Sequence, residues 1–178
     1  MAALNFLLHG RRKVTLAHFN HGTPGSDEAQ HFVERKSREL NLELVVQTAN
    51  KGILKNELEW RNARYDFFKS LSAPIVLAHH LDDAVEWWIF SSLRGQGKLI
   101  PVQRSLGESE ILRPFLFFAK EDLTSKLQAS EFVYDKSNAD LKHARNRIRH
   151  NIIPEALEVN PGLRKTILNL YKRELGCD

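Results

Sequence analysis

The sequence predicts an α/β protein: a doubly wound, mostly parallel sheet with helices on its faces, followed by a basic helical C-terminal segment. Three observations predict it. Short apolar runs alternate with helical patterns of about 10–15 residues, the signature of strand–helix–strand units. Three of those runs end in polar groups: His18 with Asn20 and His21, Gln47 with Thr48, and His79 with His80. Ligands bind beyond the carboxyl ends of strands in such sheets. Finally, Lys142, His143, Arg145, Arg147, Arg149 and His150 crowd into nine residues, and Arg164, Lys165, Lys172 and Arg173 follow. The composition therefore places a boundary near residue 140, between a body (1–140) and a basic segment (141–178).

Each element has its own warrant. Residues 1 to 9 are an apolar helix that stops at Gly10. KVTLAHF (13–19) reads as a buried strand, and NHGTPG as a turn. Ser26 can cap a helix over roughly 27–40. LELVVQT (42–48) is a second strand and 56–71 a helix. PIVLAH (74–79) is a third strand, and a helix from Asp82 to about Leu93 stops at Gly95. A looser stretch holds Pro101 and Gly107, before ILRPF (111–115) and a helix over about 119–129. FVYD (132–135) follows, then two helices broken at Pro154 and Pro161.

Bulk properties narrow the function classes. The 178 residues fit one domain, and 42% apolar residues suffice for a core. The single cysteine, Cys177, excludes an internal disulfide framework and a cysteine-based zinc site, and suits a reducing compartment. No apolar run approaches the roughly 20 residues of a membrane span. The N-terminus places its apolar segment before its basic one, the reverse of a secretory signal, so a cytoplasmic protein is expected. The net charge of +4 matters less than its placement, which turns the C-terminal third toward a polyanion.

Four constellations carry chemistry. In VLAHHLDDAVEWW (76–88), His79, His80, Asp82, Asp83 and Glu86 gather where a strand stops and a helix starts. Capping accounts for one or two of them, since a helix N-terminus favours carboxylates, but not for all five. Carboxylates at a strand end can hold Mg²⁺ bridging to a nucleotide's phosphates, with Asp82, Asp83 and Glu86 as its ligands. They or an imidazole can also take a proton from an attacking amine. The alternative is a hydrolase holding a transition metal on His79, His80 and Asp83. In ELEWRNARY (57–65), Arg61 and Arg64 lie one turn apart, suited to nucleic-acid phosphates or, equally, to pairing with Glu57 or Glu59. In DKSNADLKHARNRIRHNIIP (135–154), Arg145 and Arg149 share a helix face that Ile148 and Ile152 would dock, while Ser137, Asn138 and Asp140 are turn and cap residues. Arg113 in ILRPF precedes a proline and is held extended, as a site residue or a surface charge.

Taken in order, HFNHG (18–22), ELEWRNARY, LAHHLDDAVE (77–86), LRG (93–95), ILRPFL (111–116) and the 135–154 segment resemble the bacterial tRNA(Ile)-lysidine synthetases. These belong to the N-type ATP pyrophosphatases of the PP-loop superfamily. The resemblance implies an adenine nucleotide alpha hydrolase-like sheet and a PP-loop-type nucleotide-binding domain over 1–140. It implies a ligase that adenylates C2 of an anticodon cytidine of tRNA(Ile) with ATP and Mg²⁺, after which the amine of lysine displaces AMP. It implies a catalytic, Mg²⁺-linked role for His79, Asp83 and Glu86, and nucleotide contacts for His18, Asn20, His21, Arg113 and Arg145. Arg61, Arg64, Arg147 and Arg149 would meet the RNA.

The family also carries a glycine-rich SGGxDS loop that cradles pyrophosphate. This sequence contains none, and MAALNFLL resembles the helix that follows it. The expectation is therefore an N-terminally truncated domain whose ATP binding depends on a loop from an upstream segment or a separate chain. The alternative is a non-catalytic RNA-binding remnant. A tRNA-thiolating relative would rely on reactive cysteines, which one terminal cysteine opposes.

Overall fold

The structure, a computed structural model, describes residues 1–10, 12–23, 25–125 and 140–177. Helix α1 (Ala2–His9) leads to strand β1 (Thr15–Asn20), helix α2 (Ser26–Glu39), strand β2 (Glu43–Thr48) and helix α3 (Glu57–Ser70). Strand β3 (Ile75–Val76), helix α4 (Leu81–Ser92) and strands β4 (Gln103–Leu106) and β5 (Ser109–Leu112) come next. A 3₁₀ turn (Pro114–Phe117) precedes helix α5 (Lys120–Thr124). Beyond Asp140 run helix α6 (Ala144–Arg147), a π-helical turn (Ile148–Ile152), helix α7 (Ile153–Val159) and helix α8 (Leu163–Leu175). The FVYD strand, the end of the helix expected over 119–129, and Ser137 and Asn138 lie outside the described residues.

The parallel pairing is present where it was expected. β1 and β2 run parallel in the register Thr15↔Glu43 to Asn20↔Thr48, so their polar carboxyl ends lie side by side. A second sheet has the order β3-β5-β4. β4 and β5 are joined through Gly107 and Glu108 alone, which only an antiparallel pair permits, so the looser stretch expected after Gly95 contains a hairpin. β3 is far shorter than PIVLAH suggested. The Leu77 amide still donates to Leu112, but His80 is already committed as the cap of α4. Pro154 does not break the helical run: it is the second residue of α7, directly after the π turn, within a run that continues from α6.

The described chain forms two compact units, one holding Met1–Ile75 and Ser105–Glu110, the other Val76–Arg104, Ile111–Ser125 and the residues from Asp140 onward. In the first, Phe19 at the end of β1 packs on Phe67 of α3, ring centroids 5.9 Å apart. In the second, Leu81, Ala84, Val85 and Ile89 form the apolar stripe of α4. Leu163, Ile167 and Tyr171, spaced four apart on α8, join that core with Leu116 and Ile148. The Tyr171 hydroxyl donates to Ile100 O at 2.9 Å, and burial pushes its pKa up to about 12. No helix among the described residues is long and apolar enough to cross a membrane.

The turn after β1 needs its glycine. Gly22 has φ +69°, and a Cβ there would lie 2.8 Å from Ala49 O. Gly22→Ala therefore lowers the unfolding free energy by about 1–3 kcal/mol, measurable as a lower urea midpoint with an unchanged slope.

Candidate functional site

The N-terminus of α4 is held by an unusual cap. His80 is extended (φ −119°, ψ 178°), its Nδ1 accepts the Asp83 amide at 3.3 Å, and Asp83 Oδ2 accepts the His80 amide at 3.0 Å. This is a reciprocal capping box with an imidazole where a hydroxyl usually stands. It leaves Asp83 Oδ1 to face Arg149, whose Nη2 lies 3.6 Å away.

One turn further along α4, Glu86 is 1% exposed. Its Oε1 accepts from Arg145 Nε at 2.8 Å. Its Oε2 accepts from Arg149 Nε at 2.8 Å and from Nη2 at 2.7 Å. A buried carboxylate is tolerated only when paired, and here two guanidiniums pair it while keeping over a third of their own surface in solvent. The two arginines sit on either side of the point where α6 passes into the π turn, and Ile148 at that junction is buried. The isoleucine anchor expected from the sequence is therefore met at Ile148. Ile152 is exposed instead, because the π turn shifts the register of everything after it.

Asp82 looks elsewhere. Its Oδ2 accepts the Lys120 amide at 2.8 Å, and its Oδ1 accepts Arg164 Nε and Nη2 at 2.9 and 2.7 Å. Burial pushes this carboxyl up, but the Lys120 amide, the Arg164 guanidinium and His80 together hold it below its ordinary value. Asp82 thus has partners apart from the arginine cluster, while Asp83 and Glu86 share Arg149. Among the described residues no group of three His, Cys, Asp or Glu side chains can hold a metal ion. A resident Mg²⁺ on Asp82, Asp83 and Glu86 does not fit this arrangement, since arginines occupy both oxygens of Glu86 and one of Asp82. The metal-hydrolase alternative likewise finds no ligand set among these residues.

The remaining candidates are dispersed. His79 is half-buried just before the cap, and Arg147 is exposed on α6. Arg113 is 4% exposed and donates through Nη1 to Pro101 O at 2.8 Å, holding the chain entering β4 to the chain leaving β5. In the other unit, Asn20 is 1% exposed and organises the turn after β1. Its Nδ2 donates to Asp27 at 3.0 Å and to Gln30 at 2.9 Å, and its Oδ1 accepts the Gly22 amide at 2.8 Å. His21 packs edge-on against Phe19 and lies 6.3 Å from the Trp60 ring. Burial lowers the pKa of His21, aided by Arg64 and His18; burial also lowers that of His18, against the pull of Glu34. Arg61 and Arg64 are exposed on α3, with Arg61 stacked over Tyr65 at 5.2 Å.

Sequence reasoning missed Arg164 as a partner of Asp82, and the Lys120 amide with it. Nothing in the local pattern signals a bond spanning 82 residues. It also passed over His80 as a cap, because histidine is not a customary capping residue.

Residues 1–156 match the family model described as a PP-loop domain. The chain is 34% identical over 162 residues to the tRNA(Ile)-lysidine synthase of Legionella pneumophila (strain Lens), covering 85% of this chain and 38% of that protein. It is 31% identical over 173 residues to the tRNA(Ile)-lysidine synthase of Thermotoga sp. (strain RQ2), covering 89% of this chain and 42% of that protein. The chain thus spans about two fifths of the length of these relatives.

Two measurements probe the site. Glu86→Gln leaves two guanidiniums facing a neutral amide; removing one partner of a buried pair costs about 3–5 kcal/mol, and the solvent reaching both arginines places this loss near the lower bound, read from denaturant unfolding. The second concerns pH. His18 and His21 titrate lower folded than unfolded, so the unfolded chain takes up more protons as pH falls through 6.5, and stability drops on acidification. His21→Phe flattens that slope between about pH 7.5 and 5.5 in thermal melts.

Proposed function

The chain belongs to the PP-loop domain family, and from that premise we propose that it carries the ATP-using chemistry of a tRNA(Ile)-lysidine synthase. In this reading O2 of an anticodon cytidine attacks the α-phosphorus of ATP and pyrophosphate leaves. The amine of lysine then attacks C2, the C2–O bond breaks, AMP departs and the attacking nitrogen loses a proton. The observation that carries the proposal is the Glu86–Arg145–Arg149 cluster with Asp83 beside it, in a chain resembling proteins of that name over most of its length.

The geometry supports distinct roles. Arg145 and Arg149, held by Glu86, present positive charge where an adenylate's phosphate gathers negative charge, without reorganising during the reaction. Glu86 acts through them as a positioning residue. Asp83 and His79 stand at the same helix start as acceptors for the amine's proton. His18 and His21, whose pKa burial lowers, are candidates to contact the nucleotide, and Asn20 fixes the turn beside them; Arg113, in the other unit, is a further nucleotide candidate and fixes the segment at Pro101. Arg61, Arg64 and Arg147, all exposed, would bind tRNA phosphates. Mg²⁺ enters with ATP as the metal–nucleotide complex. Residues outside the present sequence, on the same chain or a second one, supply the glycine-rich loop, and the setting is the cytoplasm.

The test supplies the loop. The chain, alone and extended N-terminally with a strand and an SGGxDS loop of the kind the family carries, is incubated with ATP, unmodified tRNA(Ile) and lysine, and AMP is measured. The extended chain releases AMP only when tRNA and lysine are both present. Asp83→Asn, which keeps an oxygen for the His80 amide, lowers that rate about a hundredfold or more at unchanged stability. An extended chain that binds tRNA but releases no AMP is a non-catalytic RNA-binding protein.

A further inference from the structure

Asp82 precedes the carboxylate that faces Arg149, yet it turns to other parts of the chain. Three elements meet on it: the first turn of α4, the first residue of α5 through the Lys120 amide, and the second residue of α8 through Arg164. α8 already buries Leu163, Ile167 and Tyr171 in the core, with Tyr171 tied to Ile100. That packing and the Tyr171 bond anchor α8 along its length, and at its first turn a charge-assisted pair adds a directional constraint, because two N–H groups must converge on one oxygen. The face of α8 fixed in this way exposes Lys165, Lys172 and Arg173.

We propose that Asp82 is a positioning residue that clamps α8 to the first turn of α4, and so sets where the basic face of α8 meets an RNA backbone. The identity of the polyanion rests on the lysidine synthase reading; the clamp rests on the geometry alone. Asp82 acts on binding through Arg164.

Electrostatics alone and the clamp predict opposite signs for one variant. Asp82→Asn removes a negative charge, which by itself tightens binding to a polyanion. The clamp predicts tRNA(Ile) binding weaker by about threefold or more at fixed salt, read by fluorescence anisotropy. It also predicts faster hydrogen exchange of the α8 amides without RNA, in Asp82→Asn and in Arg164→Gln alike. The double variant exchanges no faster than either single one, since both remove the same interaction. Unchanged α8 exchange overturns the clamp, and unchanged or tighter tRNA binding by Asp82→Asn overturns its role in RNA positioning. If the unaltered chain binds no tRNA while α8 exchange rises in both variants, the lysidine synthase reading fails and the clamp stands.

Discussion

The second compact unit depends on one buried carboxylate. Glu86 lies in the face of α4 that packs into the core, where an unpaired charge would be intolerable. It is tolerable because Arg145 and Arg149 reach it from a segment about sixty residues later in the chain. The pairing constrains more than electrostatics. It fixes the register of α6 and the π turn against α4, and it holds two guanidiniums partly in solvent, side by side. A well-packed apolar residue at 86 would stabilise the core as well or better, but it would not present two oriented cations at the start of α4.

Helix geometry divides the labour among the neighbouring carboxylates. Asp82 and Asp83 are consecutive, so their side chains leave α4 about 100° apart. One points toward α5 and α8, the other folds back onto the cap and extends its second oxygen to Arg149. Glu86 lies within one turn of both Asp82 and Asp83, and the guanidinium of Arg149, which faces both Asp83 and Glu86, is what joins those two. The acidic run is therefore divided between Arg164 and the Lys120 amide on one hand and the Arg145–Arg149 pair on the other.

The first unit handles its polar groups differently. β1 and β2 run parallel, so the polar ends of both strands come together at one edge. There Asn20 donates to Asp27 and Gln30 of α2 and accepts the Gly22 amide, tying the turn to that helix, while burial lowers the pKa of His18 and His21. Within the HFNHG stretch Asn20 and Gly22 serve that turn, and Phe19 and His21 pack against one another beside it.

The sequence by itself determined the alternation of strands and helices, the parallel β1–β2 pair and a helix start within one residue of the expected Asp82, and it singled out the acidic, imidazole and arginine residues around that start as candidates. All of these rest on short-range chemistry: apolar periodicity, capping and turn preferences act within a few residues and are written locally. What only the tertiary structure decided is who pairs with whom. Glu86 with Arg145 and Arg149, Asp82 with Arg164, and Arg113 with Pro101 are contacts between distant segments, and a carboxylate in a sequence carries no mark of the guanidinium it will meet. The β4–β5 hairpin and the brevity of β3 also needed three dimensions, because strand length is set by the neighbour that supplies the hydrogen bonds.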